Sequence, residues 1–329
     1  METAQAIKDV CGVLPFIFRA GVWKPRTRPD TFQGVGEEGL TWLAEVKERF
    51  GIPVATEVAN PKHVEAALKA GIDYLWIGAR TSANPLAVQG IAEAINAASQ
   101  QCNAPKALLI KNPVNADAAL WLGNIERLEK AVKGLQVTGD GIPVIAVHRG
   151  CNHQPCWSMA HAVRLARPDI PMLLDPSHLS GNASQVPELL KKVPELGLNG
   201  AMVEVHVHPE TALSDAKQQI SPKELNAALG CCVNAPKEQC KAAPPQLSWL
   251  RAEMDELDEQ LWDTIAARMD ISRRIGEWKK AHGVAPLQPE RYIAKSEELK
   301  VKSEELGLPK DFVKHIYDLI HEESVHQQS

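Results

Sequence analysis

Residues 143–150 read PVIAVHRG: a short apolar run, then an imidazole, a guanidinium and a glycine. Runs of this length in Val, Ile, Leu and Ala suit strands buried on both faces. Six further runs share the pattern, at Leu14–Phe18, Pro53–Ala55, Tyr74–Ile77, Ala107–Ile110, Met172–Leu174 and Ala201–Val205. Helical patterns separate them at Gly36–Phe50, Pro61–Ala70, Leu86–Ser99, Ala116–Lys133 and Asn182–Leu196, and residues 1–11 also read as a helix. Such alternation implies a parallel sheet, open or closed. The residues after each run decide between the two. Arg19 and Lys24, Glu57, Arg80, Lys111, His148 and Arg149, and Asp175 and His178 sit just past a run, and Glu204 falls at the end of the last. A (β/α)8 barrel brings the carboxyl ends of its strands to one face, whereas an open doubly wound sheet gathers ligands at one switch point. The pattern predicts an α/β barrel of TIM type. It shows seven strands rather than eight, and the first strand is expected to lie ahead of Met1.

The remaining composition bounds the class. A chain of 329 residues with 44% hydrophobic content is long enough for two domains. Its net charge of −5 gives no basic field for nucleic acid or a membrane surface. Seven cysteines, an odd and scattered set, suit a reducing compartment, here the cytoplasm, rather than a disulfide framework. The apolar stretch Gly12–Phe18 is too short for a membrane span and lacks the layout of a signal peptide.

Residues 233–246, VNAPKEQCKAAPPQ, break the alternation and read as a linker between a barrel at 1–232 and a second domain at 247–329. There Leu247, Leu250, Met254, Leu257 and Leu261 step by three and four, as on a long helix with heptad spacing running to about His282. Shorter helices follow the interruption at Ala285–Pro289, so this domain is all-helical.

Two constellations carry chemistry in the barrel. Arg19, Lys24, Arg26, Arg80, Lys111 and Arg149 aim six cations at one mouth. They repel one another unless a ligand bearing phosphate and carboxylate groups joins them. His178, Glu204 and Asp215 offer one imidazole and two carboxylates, a donor set suited to Mn²⁺, Fe²⁺, Zn²⁺ or Co²⁺.

KPRTR at 24–28 with Phe32-Gln-Gly34, IGAR at 77–80, HRG at 148–150, DPSH at 175–178 and EVHVHPETALSDAKQ at 204–218 resemble the 3-deoxy-D-arabino-heptulosonate-7-phosphate (DAHP) synthases of compact type. The resemblance implies condensation of phosphoenolpyruvate with erythrose 4-phosphate. It places Arg19, Lys24, Arg80, Lys111 and Arg149 at the phosphoenolpyruvate site, with Asp175 among the binding residues. It also puts Arg26 and Thr27 at the erythrose 4-phosphate site, His178, Glu204 and Asp215 at a metal, Mn²⁺ first, and Glu57 beside the attacking water. Lys24 and Glu57 are then the catalytic pair. The family's fourth metal ligand, a cysteine in a GPCS-like motif after the first strand, has no match here, and Cys11 lies at the end of the opening helix. Strand and ligand are one absence, which implies little or no synthase activity for the chain as written, even with Mn²⁺ supplied. The alternative is a mutase carried on an impaired, scaffold or regulatory barrel. A further rival is another metal-dependent aldolase. Cys151 and Cys156, after HRG, form a possible metal clip or substitute ligand.

LRAEMDELDEQLWDTIAARMDISRRIGEWKK and EESVHQQ at 322–328 resemble the opening and closing helices of all-helical chorismate mutases. The resemblance implies rearrangement of chorismate to prephenate without metal. It assigns substrate binding to Arg251, Arg268, Lys279, Gln288, Arg291, Ser324 and Gln328, with Lys279 and Gln328 at the breaking ether bond. Tyr292 stands where a Glu is frequent. Arg268 and Lys279 share a helix face about 16 Å apart, whereas Arg251 is about 25 Å from Arg268. Arg251 therefore points to a neighbouring subunit and to a homodimer paired through the helical domain.

Overall fold

The computed structural model describes residues 1–25, 30–101, 104–133, 143–152, 154–233, 245–285 and 287–328. The chain divides into two compact units, Met1–Glu253 and Met254–Ser329.

The first unit holds a parallel seven-stranded sheet whose strands pair in sequence order: β1 (Phe18–Arg19), β2 (Val54–Val58), β3 (Tyr74–Ile77), β4 (Ala107–Lys111), β5 (Val144–His148), β6 (Met172–Leu174) and β7 (Gly200–Ala201). Around it run α1 (Glu2–Cys11), α2 (Glu38–Phe50), α3 (Pro61–Lys69), α4 (Ala79–Ser82), α5 (Pro85–Gln101), α6 (Ala118–Val132), α7 (Trp157–Ala166), α8 (Pro176–Ser180), α9 (Val186–Glu195) and α10 (Pro222–Val233). Successive side chains of a strand face opposite ways, and here both faces are covered. Ala55, Trp76, Leu109 and Val147 turn to the inside and pack with Met202. Val54, Leu75, Leu108 and Ala146 turn outward and join Ile91, Ile125 and Val163 from the helices. This double burial is why the strands read as unbroken apolar runs. Helix starts follow local chemistry: Asn60 accepts from the His63 N–H ahead of α3, and Asp117 accepts from Leu120 N–H ahead of α6.

The first run differs from its expectation. Leu14–Phe18 was the expected strand, but β1 spans only Phe18–Arg19. Pro15 lacks the N–H a ladder needs. The last run also starts earlier, at Gly200, and its tail joins Val205 to Ile220 as an isolated bridge. β1 and β7 are the two edges of the described sheet. Both line a largely apolar cleft of about 1130 Å³, with Leu190, Leu225 and Leu229 among its walls.

Three helices complete the chain: α11 (Pro245–Ala281), α12 (Pro289–Glu305) and α13 (Lys310–His326). The first turns of α11 belong to the barrel unit. Trp249 is buried there, donates from its indole to the Leu196 carbonyl at 3.1 Å and stacks on His161. Among the described residues no helix is long and apolar enough to cross a membrane.

Candidate active sites

Asp175 organises the barrel site. It follows β6 and caps α8, so its position is set by backbone geometry. Its carboxylate accepts from the His178 N–H at 3.1 Å, from His178 Nδ1 at 3.0 Å and from Lys111 Nζ at 2.7 Å. Burial opposes its ionisation, but His178 and Lys111 outweigh that and hold the carboxyl well below the usual range. With Nδ1 engaged, the ring presents Nε2 toward Glu204, 3.9 Å away.

His178, Glu204 and Asp215 bring one ligand atom each within 4.8 Å of one another. The backbone fixes Glu204 on both sides. Its N–H donates to Ser177 Oγ at 3.0 Å, and its carbonyl accepts from Ile220 N–H at 3.1 Å. Oε1 accepts from Arg19, while Oε2 is buried without a hydrogen-bond partner. An orphaned buried carboxylate oxygen is costly, and a divalent cation is the partner this donor set suits. Asp215 sits in the left-handed region at φ 54 and pairs with Lys24 at 2.8 Å. The residues therefore fit a metal.

Arg19, Lys24, Arg80, Lys111 and Arg149 line one cavity of about 240 Å³ with Glu57 and the three metal-ligand candidates. The strand-end logic thus brings together five of the six cations. Arg26 and Thr27 lie outside the described residues, as does most of the 233–246 linker. Burial pushes the Glu57 carboxyl up, while Lys111, Lys24, the Trp76 indole and Arg19 pull against it. Cys11 closes α1 and does not line this cavity. Neither Cys151 nor Cys156 joins a metal group among the described residues; Cys151 is buried in a tight turn with Gln154.

Sequence reading missed three contributors. Trp76 lines the cavity, Ser214 bonds Lys24, and Asn112 accepts from the Arg149 N–H at 2.7 Å while donating to the Gly150 carbonyl at 3.0 Å. Asn112 directly follows Lys111 at the end of β4, which was its only visible signal.

In the helical unit, Lys279 Nζ donates to Gln328 Oε1 at 2.8 Å, and Arg268 bonds Ser324 Oγ and the Ile320 carbonyl. Burial pushes the Lys279 ammonium pKa down, and the positive charge of Arg291 pushes it further. Four of the expected mutase residues thus form two pairs, Lys279–Gln328 and Arg268–Ser324, between the second half of α11 and the end of α13. Gln288 is exposed at the amino end of α12 and Arg251 is exposed near the start of α11. Tyr292 donates to Asp318 Oδ1 at 2.6 Å, stacks on Tyr317 and packs tilted against His321.

Comparison with known proteins follows the same division. The DAHP synthetase I family matches residues 1–241, and chorismate mutase type II matches residues 250–329. Phospho-2-dehydro-3-deoxyheptonate aldolase of Thermotoga maritima is 31% identical over 254 residues, covering 71% of this chain and 68% of the relative. A 2-dehydro-3-deoxyphosphooctonate aldolase of Bordetella petrii is 25% identical over 250 residues, covering 69% and 82%. The crystal structure of the Thermotoga maritima DAHP synthase superposes with TM-score 0.57 at 26% identity, covering 70% of this chain and 63% of that one. The chain thus spans somewhat under two thirds of that solved structure.

Proposed function

The chain belongs to the DAHP synthetase I family and continues into a chorismate mutase type II domain, and on that premise we propose that it serves aromatic biosynthesis with two activities. The barrel condenses phosphoenolpyruvate with erythrose 4-phosphate, and the helical domain converts chorismate to prephenate. The observation that carries this reading is the fusion. Barrel relatives include both heptonate and phosphooctonate aldolases, and only a product that leads toward chorismate gives the attached mutase a role.

In the barrel, Arg19, Lys24, Arg80, Lys111 and Arg149 hold the phosphate and carboxylate of phosphoenolpyruvate and offset their charge. Arg26 and Thr27 receive the sugar phosphate. His178, Glu204 and Asp215 hold a divalent ion, which we assign as Mn²⁺ with Fe²⁺, Co²⁺ and Zn²⁺ as alternatives. When bound, that ion supplies Lewis-acid polarisation of the aldehyde. Glu57, whose proton affinity burial raises, exchanges a proton with the attacking water, and Lys24 stands against the reacting enol. In the mutase, Arg251, Arg268, Arg291, Ser324 and the Gln288 backbone hold the two carboxylates and hydroxyl of chorismate. Lys279 and Gln328 stabilise the ether oxygen as its bond breaks. We place the barrel at 1–232 and the mutase at 247–329, joined by 233–246, in a cytoplasmic homodimer.

The test is to profile the full chain with Mn²⁺ against erythrose 4-phosphate and other aldose phosphates, alongside chorismate. Heptulosonate 7-phosphate formation with erythrose 4-phosphate favoured is the expected result. Preference for another aldose phosphate overturns the barrel assignment. Mutase turnover without any condensation would favour a mutase carried on a non-catalytic barrel.

A further inference from the structure

β2 and β3 pair so that Trp76 stands directly beside Glu57. Paired residues of neighbouring strands face the same way. Here that is the barrel interior, where the indole packs with Ala55, Leu109, Val147 and Met202 and is only 2% exposed. Its Nε1–H donates to Glu57 Oε2 at 3.2 Å. Its ring face carries the Arg19 guanidinium, 5.3 Å from the centroid. Arg19 in turn donates to the metal-ligand candidate Glu204 at 3.3 Å. The opposite side of the Glu57 carboxylate is closed by Gly78, where an added Cβ would lie 2.1 Å from Oε1. One rigid plane therefore serves a carboxylate at its edge and a cation on its face.

We infer that Trp76 is a positioning residue of the synthase site, its indole N–H fixing the Glu57 carboxylate while its ring face holds Arg19 beside Glu204. The inference deepens the reading that this cavity takes phosphoenolpyruvate, and it explains why a neutral donor is needed there. The charged groups facing Glu57 are Lys111 from β4 and Lys24 and Arg19 from β1 and the segment after it. All three are cations that an incoming phosphate and carboxylate would offset. Once they are offset, their hold on the Glu57 anion weakens. The indole hydrogen bond carries no net charge and keeps its direction. It is the contact that goes on favouring ionised Glu57 in the loaded site. A ring face also holds a guanidinium without consuming any of its five donors, so Arg19 keeps its N–H groups for Glu204 and for substrate.

The test uses the full-length, metal-free chain and its Trp76→Phe, Trp76→Leu and Glu57→Gln variants. Infrared difference spectra across pH report the protonated carboxyl of Glu57, identified by its loss in Glu57→Gln. Calorimetry reports phosphoenolpyruvate affinity. In Trp76→Phe the proton affinity of Glu57 should rise about tenfold, as for loss of a hydrogen bond to a charged group. Phosphoenolpyruvate affinity should hold within about twofold, because a phenyl face still carries Arg19. In Trp76→Leu the affinity should also fall, by about fivefold. Identical Glu57 titration in wild type and Trp76→Phe overturns the inference, and so does equal loss of phosphoenolpyruvate binding in the two variants, which bulk packing alone would give. Should Trp76→Phe fail to fold, the wild-type chain decides. Among its eight tryptophans, one ¹⁵N-indole signal should follow the Glu57 titration and cease to do so in Glu57→Gln; no such signal overturns the inference. Absence of phosphoenolpyruvate binding to wild type would sink the substrate reading and leave the Glu57 titration to judge the indole.

Discussion

Asp175 joins three partners through one buried carboxylate, and its chemistry predicts what its removal does. Asp175→Asn keeps the shape but removes the charge that pairs with Lys111 and the acceptor that orients His178. Groups that orient metal ligands are typically worth 10–100-fold in metal affinity. Mn²⁺ binding measured by calorimetry should weaken by about that factor; unchanged affinity would remove Asp175 from the site's support. His148 gives a prediction about pH. Burial between Trp121 and Trp157 lowers its pKa from 6.5 to about 4. The unfolded chain therefore takes up this proton first as pH falls. The stabilisation is present in full above pH 6.5 and is lost between 6.5 and about 4. It amounts to about 3 kcal/mol. Urea unfolding at pH 7 and pH 4.5 should show that loss in wild type and a smaller one in His148→Phe. In the mutase, Arg268→Ala should cost at least about 2.7 kcal/mol of transition-state stabilisation, near 100-fold in chorismate turnover. An unchanged rate would place Arg268 outside the site.

At the scale of elements, α11 and the end of α13 approach closely beside the residues proposed to bind chorismate. A Cβ on Gly276 would lie 2.6 Å from the Cα of Gln328, and backbone cannot yield as a flexible side chain does. Gly276→Ala should push the chain end away from α11 and break the Lys279–Gln328 pair. Chorismate turnover should drop at least about tenfold while circular dichroism shows the helices retained; full activity would mean the end of α13 relocates without consequence. The strands and their order were legible because apolar runs buried on both faces are distinctive, and the polar residue after each run marks its carboxyl end. β1 was misjudged because Leu14, Phe16 and Ile17 look like strand, while Pro15 denies the ladder a donor. The barrel seat of Trp249 was invisible as well. A tryptophan at the start of a heptad pattern looks no different whether it meets a helix or the Leu196 carbonyl and His161.

At the scale of the molecule, α11 leaves Leu250, Met254, Leu257 and Leu261 exposed, an apolar stripe at heptad spacing of the kind that marks a protein–protein contact. Arg251 lies about 25 Å along the same helix from Arg268. Both facts predict a dimer with shared mutase pockets. Mixing Arg251→Ala with Arg268→Ala chains should restore part of the mutase rate, since some mixed dimers regain one intact pocket. No recovery in verified heterodimers would mean each pocket is built from one chain. Metal removal should separate the two proposed activities. Chelation by EDTA should abolish heptulosonate phosphate formation and leave chorismate turnover unchanged, because the residues proposed to bind chorismate are cations, amides and a hydroxyl rather than the His, Cys and carboxylate groups that hold a metal. Strong inhibition of the mutase by EDTA would contradict that division.

The sequence by itself determined the class of each half. Apolar runs of strand length ending in charge specify a parallel barrel with one catalytic face, and heptad spacing specifies the helical half; both are periodic, local signals. It also named His178, Glu204 and Asp215, because their residue types restrict the chemistry. Tertiary structure alone decided how these groups are held. The pairing of Glu57 with Trp76, the cation on the indole face, the Asn112 staple behind Arg149 and the closeness of Gly276 to Gln328 all join residues from different elements. Such contacts depend on strand register and helix packing, and no local pattern in a single sequence encodes them.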